Sequence, residues 1–295
     1  MKSYKFKTAT EMTALCDDAG IDLAELMIRR EMELFGNTKT MIMEKMAGQW
    51  AVMRRAAGQA VTQPVTSMGG LIGGEAKRLA ERLKNGMSIM PSVQGWASAY
   101  AMSVMEVNAG MGLIVAAPTA GSAGVIPGAF AALQEEKGYD DACMTQGLFV
   151  AAAIGLLIMS RATVAGAEGG CQAEIGTASA MASAGLVYLA GGDVRASCAA
   201  ASAALANLLG LVCDPVGGLV ELPCQRRNAV GAANAICTAE SALAGIAEIV
   251  PLDEMIDVLY DVGKNIPESL RETAQGGMAI APSAARRCRG CGTNG

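Results

Sequence analysis

Apolar positions recur at intervals of three and four residues through most of the chain, the period of helices with one buried face. From Thr8 to about Ala57, the stretch EMTALCDDAGIDLAELMIRREMELF places Leu23, Leu26, Met27 and then Leu34 near this spacing, with acids and bases between them. A surface helical pair is predicted. Gly36-Asn37-Thr38 interrupts it, and Thr38 is placed to cap a Met-rich helix through MIMEKMAGQWAVMRR. The segment TQPVTSMGGLIGGE, from Thr62 to Glu75, reads as a Gly-rich loop entering the basic helix EAKRLAERLKNG, and it marks the first boundary. After Pro91 the helical stretches GWASAYAMSVMEVNAGMG, AGVIPGAFAALQEEKG and DACMTQGLFVAAAIGLLIMS are rich in Ala, Met and Gly, with charges confined largely to their ends. These are core helices. β-branched residues never alternate with polar ones for more than a few positions, so sustained strands are not expected. The pattern predicts an all-α protein: an N-terminal helical region over 1–61, a multi-helix globular domain over 62–287 with its site on loops, and a flexible Cys-containing tail over 288–295.

Composition narrows this picture. With 295 residues, 52% hydrophobic and 17% charged, the chain is too apolar for disorder and long enough for a large core. Its 23 basic against 28 acidic residues leave a net charge of −5, and the basic residues are scattered, the densest group being Arg286, Arg287 and Arg289 in the tail. No nucleic-acid partner is expected on this balance. The N-terminus has lysines but no following apolar run, so it is not read as a secretory signal, and a cytoplasmic location is expected. A mean hydropathy of +0.33 raises the membrane alternative. The long uncharged runs do not favour it: Val107 to Gln134 is broken by Pro118, Pro127 and glycines, Gly147 to Ser160 spans 14 residues, and Ala196 to Cys213 is diluted by Ser, Asn and Gly. Buried helices and loops account for them, and no membrane association is expected.

Nine cysteines and no histidine direct attention to sulfur. An odd number of thiols without an export signal is expected to stay reduced. The missing histidine excludes a Ser-His-Asp or Cys-His triad within this chain, the usual zinc hydrolase ligand sets and a haem held by histidine. A base working near neutral pH must be a carboxylate, Lys, Tyr or Cys, or belong to another chain.

Three segments bring Gly or Pro together with hydroxyls or a cysteine where a helix begins. In AAPTAGSAGVIPG, Pro118 stiffens the entrance, Gly121 and Gly124 permit close backbone approach, and Thr119 and Ser122 offer hydroxyls where a helix starts, which suits a carboxylate. An ordinary capped helix start is the alternative. In GAEGGCQAEIG, Cys171 follows Gly169-Gly170 at a helix N-terminus, a position that favours thiolate. In LVCDPVGGLVELPCQRRNA, a short loop fixed by two prolines and two glycines carries Cys213 and Cys224 at its ends. Three thiolates are one ligand short for a cubane cluster, and such a shortage leaves one iron open as a Lewis acid. The spacings of 42 and 11 residues match no compact metal motif. Buried structural thiols therefore stay open as the other reading.

The segments SMGGLIGGEAKRL from Ser67, EVNAGMGLIVAAPTAGSAGVIPG from Glu106, GGCQAEIGTASAMASAG from Gly169, GLVCDPVGGLVELPCQRRNA from Gly210 and ETAQGGMAIAPS from Glu272 together resemble the α chain of the iron-sulfur-dependent L-serine dehydratases. The resemblance spans most of the chain. It implies a lyase that dehydrates and deaminates L-serine to pyruvate and ammonia with a non-redox [4Fe-4S] cluster, as aconitase uses one. It implies Cys171, Cys213 and Cys224 as cluster ligands, and a tail cysteine, Cys288 or Cys291, capping the open iron until substrate arrives. It also implies a β subunit, because relatives carry a Ser-Ser-Ser-His-Thr element in an additional domain and this chain has none; the general base is then unassigned here. For the substrate carboxylate the candidates are Ser67, Thr119, Gly121, Ser122 and, as charge partner, Arg227. Cys16, Cys143, Cys198 and Cys237 sit in helical patterns and are expected in the core. Pyridoxal phosphate is not expected, since the only lysines after Lys84 are Lys137 and Lys264, both in charged surroundings. Rival readings are an L-cysteine desulfidase, an L-threonine dehydratase, an electron-carrying iron-sulfur protein and a helical scaffold subunit.

Overall fold

The computed structural model describes residues 3–288 apart from Ala247; of Cys288 it describes the backbone. Among the described residues there are thirteen α-helices and no strand, and the one β contact is an isolated bridge between Cys213 and Arg271. The chain is all-α.

The first three helices are α1 (Ala9–Ala19), α2 (Leu23–Phe35) and α3 (Lys39–Gln59). Their starts follow from local chemistry: Thr8, Asp22 and Thr38 each accept a hydrogen bond from the backbone N–H three residues on, satisfying a donor the helix itself cannot. Thr38 is thus the cap that the pattern predicts. These helices are less superficial than expected, since Met12, Leu26 and Trp50 are fully buried in a core continuous with the rest of the molecule. Leu34 is the exception to the periodic reading, because it points outward near the end of α2.

Next come α4 (Glu75–Lys84), α5 (Ser92–Ala109), α6 (Val125–Lys137) and α7 (Asp141–Arg161). Helix α7 is longer than the 14-residue apolar run implies, and its length and composition would suffice to cross a membrane. Its faces are taken by protein instead: α2, α3 and α9 pack on it, and 67% of its most apolar window is buried. Its end is clamped by Arg161, which pairs with Asp253 at 2.6 Å and Asp257 at 2.8 Å. Asp253 also accepts the backbone N–H groups of Ala9 and Thr10 at 2.8 and 3.0 Å, tying the start of α1 to the same knot.

The remaining helices are α8 (Gly166–Gly169), α9 (Thr177–Leu189), α10 (Val194–Ala206), α11 (Cys224–Leu243), α12 (Leu252–Asn265) and α13 (Pro282–Cys288). Helix α9 is the axis of the fold: every residue but Tyr188 is buried, with α6, α7, α10 and α11 around it. Two of its serines find partners, Ser179 donating to the Gly231 carbonyl at 2.9 Å and Ser183 meeting Thr238 at 2.8 Å, whereas the buried Thr177 hydroxyl has none among the described residues. Small residues let such helices approach closely. At Gly128 on α6, a Cβ would lie 2.7 Å from the Ala97 carbonyl and 2.8 Å from the Ala101 Cβ of α5. Backbone cannot yield there as a flexible side chain can, so Gly128→Ala is expected to destabilise the fold by about 1–3 kcal/mol. The check is a lowered urea midpoint with an unchanged slope.

Candidate metal centre and substrate pocket

Cys171, Cys213 and Cys224 are all buried, and Cys171 and Cys213 meet at the turn that leads into α9. Cys171 follows Gly170, whose φ of 75° with ψ near 178° is open in practice only to glycine. A side chain there would also meet the Leu211 carbonyl at 2.9 Å. After Cys171, residues Gln172–Gly176 form a π-helical turn into α9, a local widening often found at functional sites. Gln172 staples this turn to its surroundings: its N–H donates to the Leu211 carbonyl at 2.9 Å, its side-chain amide to the Leu259 carbonyl at 2.9 Å, and its Oε1 accepts from Gly210 at 2.8 Å.

Cys213 is held through its backbone, donating to the Leu270 carbonyl at 2.8 Å and accepting from Glu272 at 2.7 Å. The next residue, Asp214, accepts the Met278 N–H at 2.7 Å and forms an ion pair with Arg227 at 2.8 Å. Arg227 also donates to the Val212 carbonyl at 2.7 Å and reaches the Cys171 sulfur. Cys224 opens α11 directly after Pro223. Four residues on, Asn228 donates to the carbonyls of Cys224 and Gly121 at 2.9 and 2.8 Å and accepts from the Gly124 N–H at 2.8 Å, so it joins the Cys224 helix to the 119–124 turn.

At the centre, the sulfurs of Cys171 and Cys213 and a carboxylate oxygen of Glu174 all lie within 4.8 Å of one another. Thr119 donates to Glu174 Oε1 at 2.7 Å, with Ser122 Oγ 3.1 Å from the same hydroxyl. Glycines make room for the carboxylate: a Cβ on Gly121 would lie 2.9 Å from Oε1, and one on Gly166 would lie 2.7 Å from Oε2 and 3.1 Å from the Cys213 sulfur. The hydrogen bond from Cys213 holds the Cys171 thiol below its ordinary value against the opposing effect of burial, and the charge of Arg227 adds to the lowering. Cys213, as that donor and itself buried, is pushed up. Burial, followed by the charges of Cys171 and Glu174, pushes Cys224 up to about 12. Burial also raises Glu174, with the Glu272 charge adding to the effect and the Thr119 hydroxyl opposing it.

Of the site residues named from sequence, Cys171, Cys213, Thr119, Gly121, Ser122 and Arg227 come together here, while Cys224 stands outside the 4.8 Å group and is joined to the 119–124 turn through Asn228. Ser67 is placed differently: its hydroxyl donates to Glu221 Oε2 at 2.6 Å and accepts from the Ile72 N–H at 3.2 Å. Glu221 also accepts from Gly69 and Leu71, at 2.7 and 2.9 Å, so Ser67 shapes its own loop and seats it on the segment leading to Cys224. Glu106 does the same for the far end of that loop, accepting from Gly74, Ala76 and Gln225 at 2.9, 2.8 and 3.1 Å. Glu106, Glu174, Glu221 and Asn228 are site residues that the sequence pattern does not mark. A carboxylate among core residues, as in MEVN and VELP, was the signal available. Of the cysteines expected in the core, Cys16 is buried and Cys143 and Cys198 are partly buried, whereas Cys237 is exposed on α11. The side chain of Cys288 and all of Cys291 lie outside the described residues.

An all-α chain with buried thiols and a carboxylate gathered at one helix end defines a candidate metal-dependent enzyme centre. The serine dehydratase alpha chain family matches residues 18–279, and this chain belongs to it. It is similar to the probable L-serine dehydratase, alpha chain, of Bacillus subtilis (strain 168), 44% identical over 94% of this chain and 92% of the relative. It is 43% identical to the L-serine dehydratase, alpha chain, of Peptoniphilus asaccharolyticus, over 92% of this chain and 93% of the relative. With L-serine dehydratase TdcG of Escherichia coli (strain K12) the identity is 36% over 94% of this chain, which spans 62% of that longer protein.

The arrangement around Cys171 has a direct check. Arg227→Gln removes the nearby cation, so the Cys171 pKa is expected to rise in the metal-free chain. Thiolate absorbance titrated against a Cys171→Ser control measures it, and an unchanged titration would show that Arg227 does not act on this sulfur.

Proposed function

We propose that this chain is the α subunit of a cytoplasmic enzyme that converts L-serine to pyruvate and ammonia, with a [4Fe-4S] cluster held by Cys171, Cys213 and Cys224. The observation that carries the reading is the chemistry of the donor set. Three thiols and the Glu174 carboxylate are buried near one cation, Arg227, which is already paired with Asp214. Buried acidic groups need compensation, and soft sulfur donors suit an iron-sulfur cluster, as they suit zinc or Cu(I); the family resemblance favours the cluster. Gly121 and Gly166 keep the space beside Glu174 and Cys213 free of side chains. The residues present therefore fit such a group.

When bound, the cluster supplies a Lewis-acid iron that makes the substrate hydroxyl a better leaving group without electron transfer. The chain does the rest by position. Cys213 and the charge of Arg227 make the Cys171 thiol easier to deprotonate. The Thr119–Gly124 turn, with Ser122 and the backbone around Gly121, receives the substrate carboxylate, and Asn228 fixes that turn relative to Cys224. Ser67 acts one layer out, through Glu221. The base that removes the α-proton comes from a β subunit, in keeping with the absence of histidine here and with the greater length of the Escherichia coli relative. Helix α13 packs against the 216–218 turn, between Cys213 and Cys224, so the chain departs toward Cys288 and Cys291 from beside the site. This supports a tail cysteine as a replaceable cap.

Anaerobic reconstitution with iron and sulfide, followed by L-serine with and without a candidate β chain, tests the reading. Pyruvate and ammonia are expected with the β chain, and each of Cys171→Ser, Cys213→Ser and Cys224→Ser is expected to abolish both product and the broad visible absorption. Activity that survives iron removal alongside a pyridoxal absorption band would overturn it, and faster turnover of L-cysteine or L-threonine would overturn the serine assignment.

A further inference from the structure

Glu174 is 8% exposed, and no cation pairs with it among the described residues. Its Oε1 is taken by the Thr119 hydroxyl, whereas no hydrogen bond from the described residues reaches Oε2. Arg227, the cation at this centre, is already divided between Asp214, the Val212 carbonyl and Cys171. Buried carboxylates elsewhere in this molecule are treated otherwise: Glu221 takes three hydrogen bonds from the chain, and so does Glu106. Glu174 is left short.

A second carboxylate reinforces the imbalance. Glu272 is exposed, yet its charge is felt at both Glu174 and Cys213. It stands in a turn where two non-glycine residues, Glu272 and Ala274, have φ of 64° and 55°, a strained arrangement pinned by the hydrogen bond from the Glu272 N–H to the Cys213 carbonyl. The turn holds a negative charge beside a site that is already negative.

We propose that Glu174, with Glu272 behind it, is the subsite for the α-ammonium group of the substrate, and that it selects amino acids over the corresponding hydroxy acids. The inference rests on the L-serine reading above. Glu174 lies between the two groups that reading uses, within 4.8 Å of the Cys171 and Cys213 sulfurs on one side and hydrogen-bonded to Thr119 on the other. An amino acid with its hydroxyl toward the thiol centre and its carboxylate in the Thr119–Gly124 turn carries its ammonium past the free Oε2. A buried carboxylate pairs more strongly with a cation than with a neutral hydroxyl in the same place.

The test compares L-serine with L-glycerate, which has a hydroxyl in place of the ammonium group, on the reconstituted full chain with its β partner. Calorimetry gives both affinities, and iron per chain is measured in parallel. Glu174→Gln is expected to keep its iron and to weaken L-serine binding about thirtyfold or more while leaving L-glycerate nearly unchanged. Glu272→Gln, an exposed change that leaves the fold intact, is expected to lower the serine-to-glycerate preference about threefold. Equal weakening of both ligands, an unchanged preference or loss of iron in Glu174→Gln would overturn the subsite. If Glu174→Gln does not fold, an unchanged preference in Glu272→Gln overturns it. A wild-type protein that loads iron but neither binds nor turns over L-serine would overturn the functional reading and the subsite with it, whereas serine turnover with an unaltered preference in the variants removes the subsite alone.

Discussion

A single guanidinium holds together the parts of this site that lie far apart in sequence. Arg227 reaches the Val212 carbonyl and the Asp214 carboxylate, and its charge acts on the Cys171 thiol, which links the Cys213 loop to the start of the π turn. Arginine suits the task because its planar fork stays charged when buried and can serve several acceptors together. The cation is outnumbered by the thiols and carboxylates around it. Acidic groups buried around a single cation are costly, and the proposed metal and the proposed substrate ammonium would each relieve that cost.

The surrounding scaffold is rigid where the site needs it to be. Helix α9 is buried almost from end to end, and the π turn that carries Glu174 is its first extension, so the carboxylate moves only if the core moves. Gln172, Asn228, Glu106 and Glu221 then tie the surrounding loops to the helical core through buried hydrogen bonds. A satisfied polar network of this kind fixes a single arrangement, because each broken bond would strand a desolvated group. The small residues that dominate the chain matter for the same reason: Gly121 and Gly166 leave space at the centre, while Gly128 lets α5 and α6 approach behind it.

Much of this is legible in the residue pattern, and the misses have physical causes. Helical periodicity gives the all-α fold and even the Thr38 cap, since both depend on local spacing. It misplaces Leu34, because periodicity reports which residues share a face and not where a neighbouring helix stops covering it. The three cysteines stand out because prolines and glycines constrain the loops around them. Glu174 does not, since a carboxylate three residues into a helix usually faces solvent, and its burial depends on Thr119 and two glycines distant in sequence. Ser67 looks like a ligand-facing hydroxyl in a Gly-rich loop; its partner, Glu221, is 154 residues away. Cys237 follows a helical pattern that does not distinguish the covered face of α11 from the open one.

The proposed reaction depends on one inorganic object shared by Cys171, Cys213 and Cys224. Mössbauer spectroscopy of the anaerobically reconstituted chain, with its β partner and with L-serine added, addresses this most directly. About four iron atoms per chain are expected, one of them with parameters that shift when L-serine is added while the others stay constant. A chain that takes up no cluster, or a cluster whose four irons are alike and indifferent to L-serine, would contradict it.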